Sequence, residues 1–397
     1  MTTVLGITSY LKGEEYLREA KRQGAYVILL TEEKLADAPW PREFIDQVFL
    51  MPDLSKLPDV IYAVAYLMRT HKIDRIAPLD EYDVEMAAIL REHLRIHGLN
   101  ISQTKIIRDK LIMRESAAAA GILVPPFSRV VHHADVADYM QRIPPPWVLK
   151  PRLEAGAMGI KRVYTQDELW GLINFLGDQQ SFRVLEQYLP GDVYHCDALT
   201  VDGETIFTSE QRYGAPPLNV AHDGGVFMTY TLDPDSDDAR AIQKLNRRVI
   251  EAFGLKNTPT HAEFIKSHAD GQFYFLEIAA RVGGAHIAEL VEYATGINLW
   301  REWGRLDVAQ SRGESYTLPE VKRRAGGLLV SLARQEWPDM SAYTDPEIVW
   351  RIHKKQHAGM IVTSESAERV QELLNGYRER FVHDFLAVAP PRDKPTD

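Results

Sequence analysis

Cysteine is nearly absent. The 397-residue chain holds one, Cys196, which rules out an intrachain disulfide and suits a reducing compartment. Basic excess is absent too. The 46 Lys and Arg stand against 56 Asp and Glu, a net charge of −10, so a nucleic-acid partner is disfavoured unless a local basic groove exists. No apolar run approaches the roughly 20 residues of a membrane span. The first residues, Met-Thr-Thr-Val-Leu-Gly with Lys12, Glu14 and Glu15 close behind, lack the pattern of a secretory signal. The expected location is the cytoplasm. No G-x-G-x-x-G follows the first strand-like run, so a dinucleotide site is unsupported. The 13 histidines include no H-E-x-x-H and no Cys/His ligand spacing. His132, His133 and His353 read as surface residues, and Cys196 as core.

What is there is ordinary for a large globular protein: 45% hydrophobic and 26% charged residues, enough for two to four domains or subdomains. Residues 1–103 alternate strand-like and helix-like runs. Strands are expected over Thr3–Thr8, Ala25–Thr31, Gln47–Met51 and Arg75–Pro78, with helices over Glu14–Gln23, Leu57–Thr70 and Asp83–His93. That alternation implies a parallel sheet with helices on both faces. Asp80 and Glu81 follow a strand end, where such sheets bind ligands, although a solvated loop is the plainer reading.

A second unit starts near Ser102. Asp109-Lys110 opens an alanine-rich helix, and prolines at 125–126 and 144–146 break the chain. A short loop with Gly156 and Gly159 joins strands Trp147–Lys150 and Lys161–Tyr164. Such a loop can lay backbone N–H groups over phosphates, although a plain hairpin is the better reading. Later runs include a helix over Glu168–Leu176, a strand over Arg183–Tyr188, a hairpin about Asp202-Gly203, a mobile loop over Pro216–Gly225 and a helix over Asp235–Phe253. Beyond Trp300 the pattern weakens to strands at Gly326–Ala333, Ile348–His353 and Gly359–Thr363, a helix at Ser366–Tyr377 and a disordered tail, Pro390–Asp397.

The stretch from Thr260 to Leu299 carries the most chemistry. Two alternating runs flank Ala269-Asp270-Gly271, a hairpin signal. An odd-length loop centred on Asp270 sets Glu263 opposite Glu277; a two-residue Asp270-Gly271 turn sets Glu263 opposite Ile278 instead. Facing carboxylates destabilise a sheet unless a cation lies between them, and oxygen ligands suit a hard ion such as Mg²⁺. Arg281 and Gly283-Gly284 then precede a helical pattern from Ile287, whose start favours anions.

The ordered set is Asp109-Lys110, Lys150, the glycine-bearing hairpin, Glu186-Gln187-Tyr188-Leu189-Pro190-Gly191, Glu263, Glu277 and Arg281. Over about residues 1–300 it resembles the ATP-grasp superfamily of carboxylate–amine ligases, most of all its L-amino acid ligase and carbamoyl-phosphate-synthetase-like branch. The resemblance implies an α/β (α+β) fold. Residues 1–103 would form an N-terminal parallel α/β domain, 104–185 a small lid subdomain, and 186–303 an antiparallel-sheet domain with the metal site. Residues 304–397 would form a small C-terminal α+β region. It implies ATP and Mg²⁺ as cofactors, with Mn²⁺ an alternative. Lys110 and Lys150 would hold phosphates under a closing loop with Gly156, Met158 and Gly159. Glu186, Tyr188 and Leu189 would read the adenine, and His195 and Asp197 would face the nucleotide. Glu263 and Glu277 would bind metal. Arg281, Lys150 and Gly284 would be catalytic, with Gly283 and His286 near the carboxylate substrate.

Two positions depart from the family pattern. Ala279 stands where an asparagine ligand is usual. Val193 stands where a glutamate usually takes the ribose hydroxyls, a role that Asp192 beside it could assume. The expected activity is ATP-dependent amide or peptide bond formation through an acyl phosphate, releasing ADP and phosphate, with a dipeptide-forming ligase as the leading version. The expected partners are a small carboxylate and an amine, with no nucleic acid or membrane, and a homodimer as the oligomer to look for. A ligase or carboxylase acting on a non-peptide metabolite, and an inactive ATP-binding regulator, stay open. The loops that would choose substrates, about 80–85, 211–225 and 283–290, carry no readable code.

Overall fold

The computed structural model describes residues 1–156 and 158–388, without the side chains of 221–223. The tail expected over Pro390–Asp397 lies outside the described residues. The chain opens with β1 (Thr3–Thr8), α1 (Glu14–Arg22), β2 (Tyr26–Glu32), β3 (Gln47–Met51), α2 (Leu57–Leu67), β4 (Arg75–Pro78) and α3 (Val84–Leu94). The four strands form a parallel sheet in the order β3-β2-β1-β4. Every residue of β1 is buried, as expected of a strand covered on both faces. Glu14 and Glu15 in the first turn of α1, and Lys21 and Arg22 in its last, complement the helix dipole.

Two helices lead onward: α4 (Ile101–Arg108), missed in the sequence reading, and α5 (Lys110–Ala119), expected from Asp109-Lys110. Asn100 and Gln103 form a capping box on α4, and Asp109 caps α5 through the Leu111 and Ile112 amides. The next unit is β5 (Phe127–Arg129), α6 (His133–Arg142), β6 (Trp147–Pro151), β7 (Lys161–Val163), α7 (Gln166–Leu176) and β8 (Arg183–Gln187). Its strands make a small antiparallel sheet, β5-β8-β6-β7, with its own core around Trp147, Leu149, Leu169 and Ile173.

The rest of the chain builds one eight-stranded antiparallel sheet. Its elements are β9 (Gly191–Val201), β10 (Glu204–Tyr213), α8 (Pro217–Asp223), β11 (Phe227–Thr231), α9 (Asp237–Ala252), β12 (Thr258–Ser267), β13 (Phe273–Ala279), α10 (Ile287–Thr295) and α11 (Leu299–Ser311). They are followed by β14 (Ala325–Leu332), β15 (Ile348–Arg351), β16 (His357–Ser364) and α12 (Ala367–Asp384). The strand order is β13-β12-β9-β10-β11-β14-β16-β15, so the C-terminal strands extend the same sheet through the β11–β14 pair. Along β9 the alternation is strict: Tyr194, Cys196 and Ala198 join the core that includes α9 residues, whereas Val193, His195 and Asp197 point to the opposite face. Residues 216–225, read as a loop, contain α8, whose start Pro217 favours.

Glu263 does pair with Glu277, but not through a loop centred on Asp270. Near the turn the partners are Lys266 with Phe273, Ile265 with Tyr274 and Phe264 with Phe275; the register then slips by one so that Leu276 bulges out. The bulge frees the Leu276 carbonyl, and the buried Arg114 guanidinium donates to it.

Candidate active site

A cavity of about 390 Å³ lies between the two antiparallel sheets, with Glu81 of the N-terminal unit in its lining. Lys150, at the end of β6, is buried and its ammonium sits 2.7 Å from the Glu186 carboxylate on β8. Burial pulls its pKa down, against Glu186, to about 8. Glu186 also meets Arg114 at 3.0 Å, and these two cations outweigh burial to keep its carboxyl ionised. Glu186, expected to read adenine, pairs here with Lys150 and Arg114. Lys110, on the first turn of α5, is 3.2 Å from Glu277 and donates to the Glu154 carbonyl at 2.6 Å. Arg108 donates to the Leu153 carbonyl at 2.8 Å. The start of the glycine-bearing loop is therefore held by two cations.

The paired carboxylates sit at the floor. Tyr213, on β10, donates to Glu263 at 2.8 Å. Burial would push Glu277 up, but Lys110 and Lys150 hold it well below the usual range. A Lys ammonium thus occupies the neighbourhood where two facing acids call for a cation, and the all-oxygen donor set fits a hard divalent ion. Beside them lies a chain of buried groups. Asp197 accepts from His261 Nδ1 at 2.9 Å and from His195 Nδ1 at 2.8 Å, and His195 Nε2 meets the Thr229 hydroxyl at 2.8 Å. Burial alone would lower the His261 pKa, but Asp197 and Glu263 raise it to about 10. Gly283 makes room for this array: a Cβ there would lie 2.6 Å from Asp197 Oδ1 and 3.1 Å from His261 Nδ1.

Arg281 follows β13 and donates through Nε to Glu81 at 2.6 Å; the other Glu81 oxygen accepts from Arg108 at 2.7 Å. The solvated-loop reading of Glu81 is overturned: the residue is buried between two guanidiniums. Asp80 is buried as well and pairs with Lys12.

Most expected positions converge on the cavity. Lys110, Lys150, Gly156, Met158, Glu186, Tyr188, Leu189, Glu263, Glu277, Arg281 and Gly284 all line it. Three do not. Asp192 turns outward to Arg212 at 2.8 Å and His268 at 3.5 Å, because it lies on the opposite face of β9 from Val193. His195 faces the right way but is covered by the Tyr213 and His261 rings, with centroids at 4.5 and 5.1 Å, and has no exposure. Gly159 packs against Pro151, and its carbonyl accepts from Arg183 at 3.2 Å. His286, placed near the carboxylate substrate by the resemblance, packs on Trp350 and meets Glu289 at 3.0 Å. Tyr213, His261 and Arg114 were missed. His261 carried a signal, since it alternates in step with Glu263; Tyr213, two strands away on β10, and Arg114, in an alanine-rich helix, carried none.

Comparison with known proteins agrees with this geometry. Residues 143–289 match the model of the ATP-grasp domain. The L-arginine-specific L-amino acid ligase of Bacillus subtilis is 24% identical over 362 residues, covering 85% of this chain and 86% of that one. The crystal structure of an L-amino acid ligase from Bacillus licheniformis superposes with a TM-score of 0.78 at 18% identity, covering 98% of both chains. The biotin carboxylase domain of the Hydrogenobacter thermophilus 2-oxoglutarate carboxylase, solved with MgADP, ADP and bicarbonate, gives 0.73 at 16% identity over 94% of this chain and 89% of that one. Residues 143–289 thus carry an ATP-grasp domain, and the chain as a whole has the fold of the ATP-grasp structures it superposes on. The relatives and the fold support an enzyme of the acid–amino-acid ligase type that uses ATP. No described helix is long and apolar enough to cross a membrane.

Proposed function

We propose that this chain activates a small carboxylate as an acyl phosphate and joins it to an amine, with an L-amino acid as the leading acid, releasing ADP and phosphate. One observation carries the reading: Lys110, Lys150, Arg281, Glu263 and Glu277 line a single cleft. Lys110 and Lys150 would bind the phosphates of ATP as point charges. Leu189 and Met158, with Val148 and Ile278, offer apolar walls suited to adenine. Glu263 and Glu277 would hold Mg²⁺, which would supply positive charge against the phosphates of ATP. Arg281 would face the transferring phosphoryl group with planar, permanently charged donors. The loop from Leu153 to Ile160 would exclude water, which destroys an acyl phosphate.

Hydroxylamine supplied in place of the amine tests this reading. It should trap the activated acid as a hydroxamate, only with ATP and a divalent cation, and with ADP as the nucleotide product. AMP as product would point to an adenylate and overturn the acyl phosphate. An ADP-release screen over amino acids, singly and in pairs, would identify the substrates.

A further inference from the structure

His261 lies two residues before Glu263 on β12 and pairs across the sheet with Ala279. Its ring lines the cleft. Nδ1 is committed to Asp197 at 2.9 Å, and Asp197 is itself fixed by His195 and has no exposure. Nε2 faces Glu263 Oε1 from 3.6 Å. Neighbouring ligands of one octahedral ion with bonds of about 2.1 Å stand about 3 Å apart, so a small adjustment would let both atoms share a cation. A histidine with one nitrogen oriented by a buried carboxylate and the other facing an acid is the arrangement that metal-binding histidines adopt.

We propose that His261 is a metal ligand, its Nε2 completing with Glu263 and Glu277 a mixed nitrogen–oxygen site for a divalent cation. The proposal rests on the reading that the two glutamates hold a cation. Three features follow from this role. Gly283 is small because Asp197 and His261 need its space. Ala279 is small because His261 lies across from it. The site should prefer Mn²⁺ to Mg²⁺ more strongly than an all-oxygen site would, since imidazole suits transition metals.

Pulsed electron paramagnetic resonance of the full chain with Mn²⁺ and ADP provides the test. The expected result is a nitrogen coupling that changes when the histidines carry ¹⁵N, an observation that needs no variant. His261→Gln should lose that coupling and weaken Mn²⁺ binding about 10- to 100-fold, with Mg²⁺ binding changed much less. Mn²⁺ bound without histidine coupling overturns the proposal and leaves the glutamate pair standing. No binding of either metal to the ADP-loaded wild type would overturn both.

Discussion

Removing the charge of Glu81 should loosen the joint between the N-terminal unit and the catalytic cleft. Glu81 is buried, with Arg108 at 2.7 Å on one oxygen and Arg281 at 2.6 Å on the other. Burial raises its pKa, but Arg281 and Arg108 prevail and hold it below the usual carboxylate range. Glu81→Gln keeps the shape and leaves two guanidiniums facing each other with no anion between them. Breaking a buried pair in this way costs about 3–5 kcal/mol. At roughly 2–4 °C per kcal/mol for a unit of 150–250 residues, Tm should fall by roughly 6–20 °C. The sign with pH is fixed too. A depressed carboxyl stabilises above its unfolded pKa of about 4.3 and loses that stabilisation as pH falls through its folded value. The gap between wild type and variant should therefore be full at neutral pH and shrink in acid. Thermal unfolding by circular dichroism from pH 3 to 8 would measure it. Adding Arg108→Met to Glu81→Gln should recover part of the loss. An unchanged Tm, or two losses that simply add, would refute the argument that these charges act as one unit.

Glu277→Gln should abolish ADP release while the circular dichroism spectrum stays native, since the side chain is nearly isosteric; full activity would remove Glu277 from metal binding. ATP affinity, followed by calorimetry, should weaken as pH rises through about 8, where Lys150 loses its proton, and Lys150→Met should bind ATP weakly with no such inflection. Gly283→Ala should destabilise the chain by about 1–3 kcal/mol, because the new methyl meets Asp197 and His261; a wild-type Tm would show that the cleft yields there.

The parallel N-terminal sheet was legible because fully buried strands such as Thr3–Thr8 are unbroken apolar runs bounded by turns. The acid pair was legible because Glu263 and Glu277 hold strand alternation around a glycine turn. How they meet was not: the slip at Leu276 depends on Arg114 taking the freed carbonyl, a contact 162 residues away in sequence. Asp192 was misassigned for a related reason. Only the strand register shows which of Asp192 and Val193 faces the cleft. Glu81 resembled any loop acid because both its partners come from other units. The helix α4 could have been found, since Asn100 and Gln103 spell a capping box.

The order of strands in the large sheet sets a constraint on synthesis. β11 brings Phe227 to the cleft, yet one of its two neighbours, β14, starts almost a hundred residues later. Until the ribosome has delivered Ala325–Leu332, the nascent sheet ends in an open edge whose unpaired amides and carbonyls invite other chains. A chain cut after α11 would hold every residue assigned to the chemistry and still lack the strand that shields it. Such a fragment should aggregate rather than fold into a smaller enzyme, so nature or an engineer can vary the far edge at β15 with far more freedom than the seam at β14.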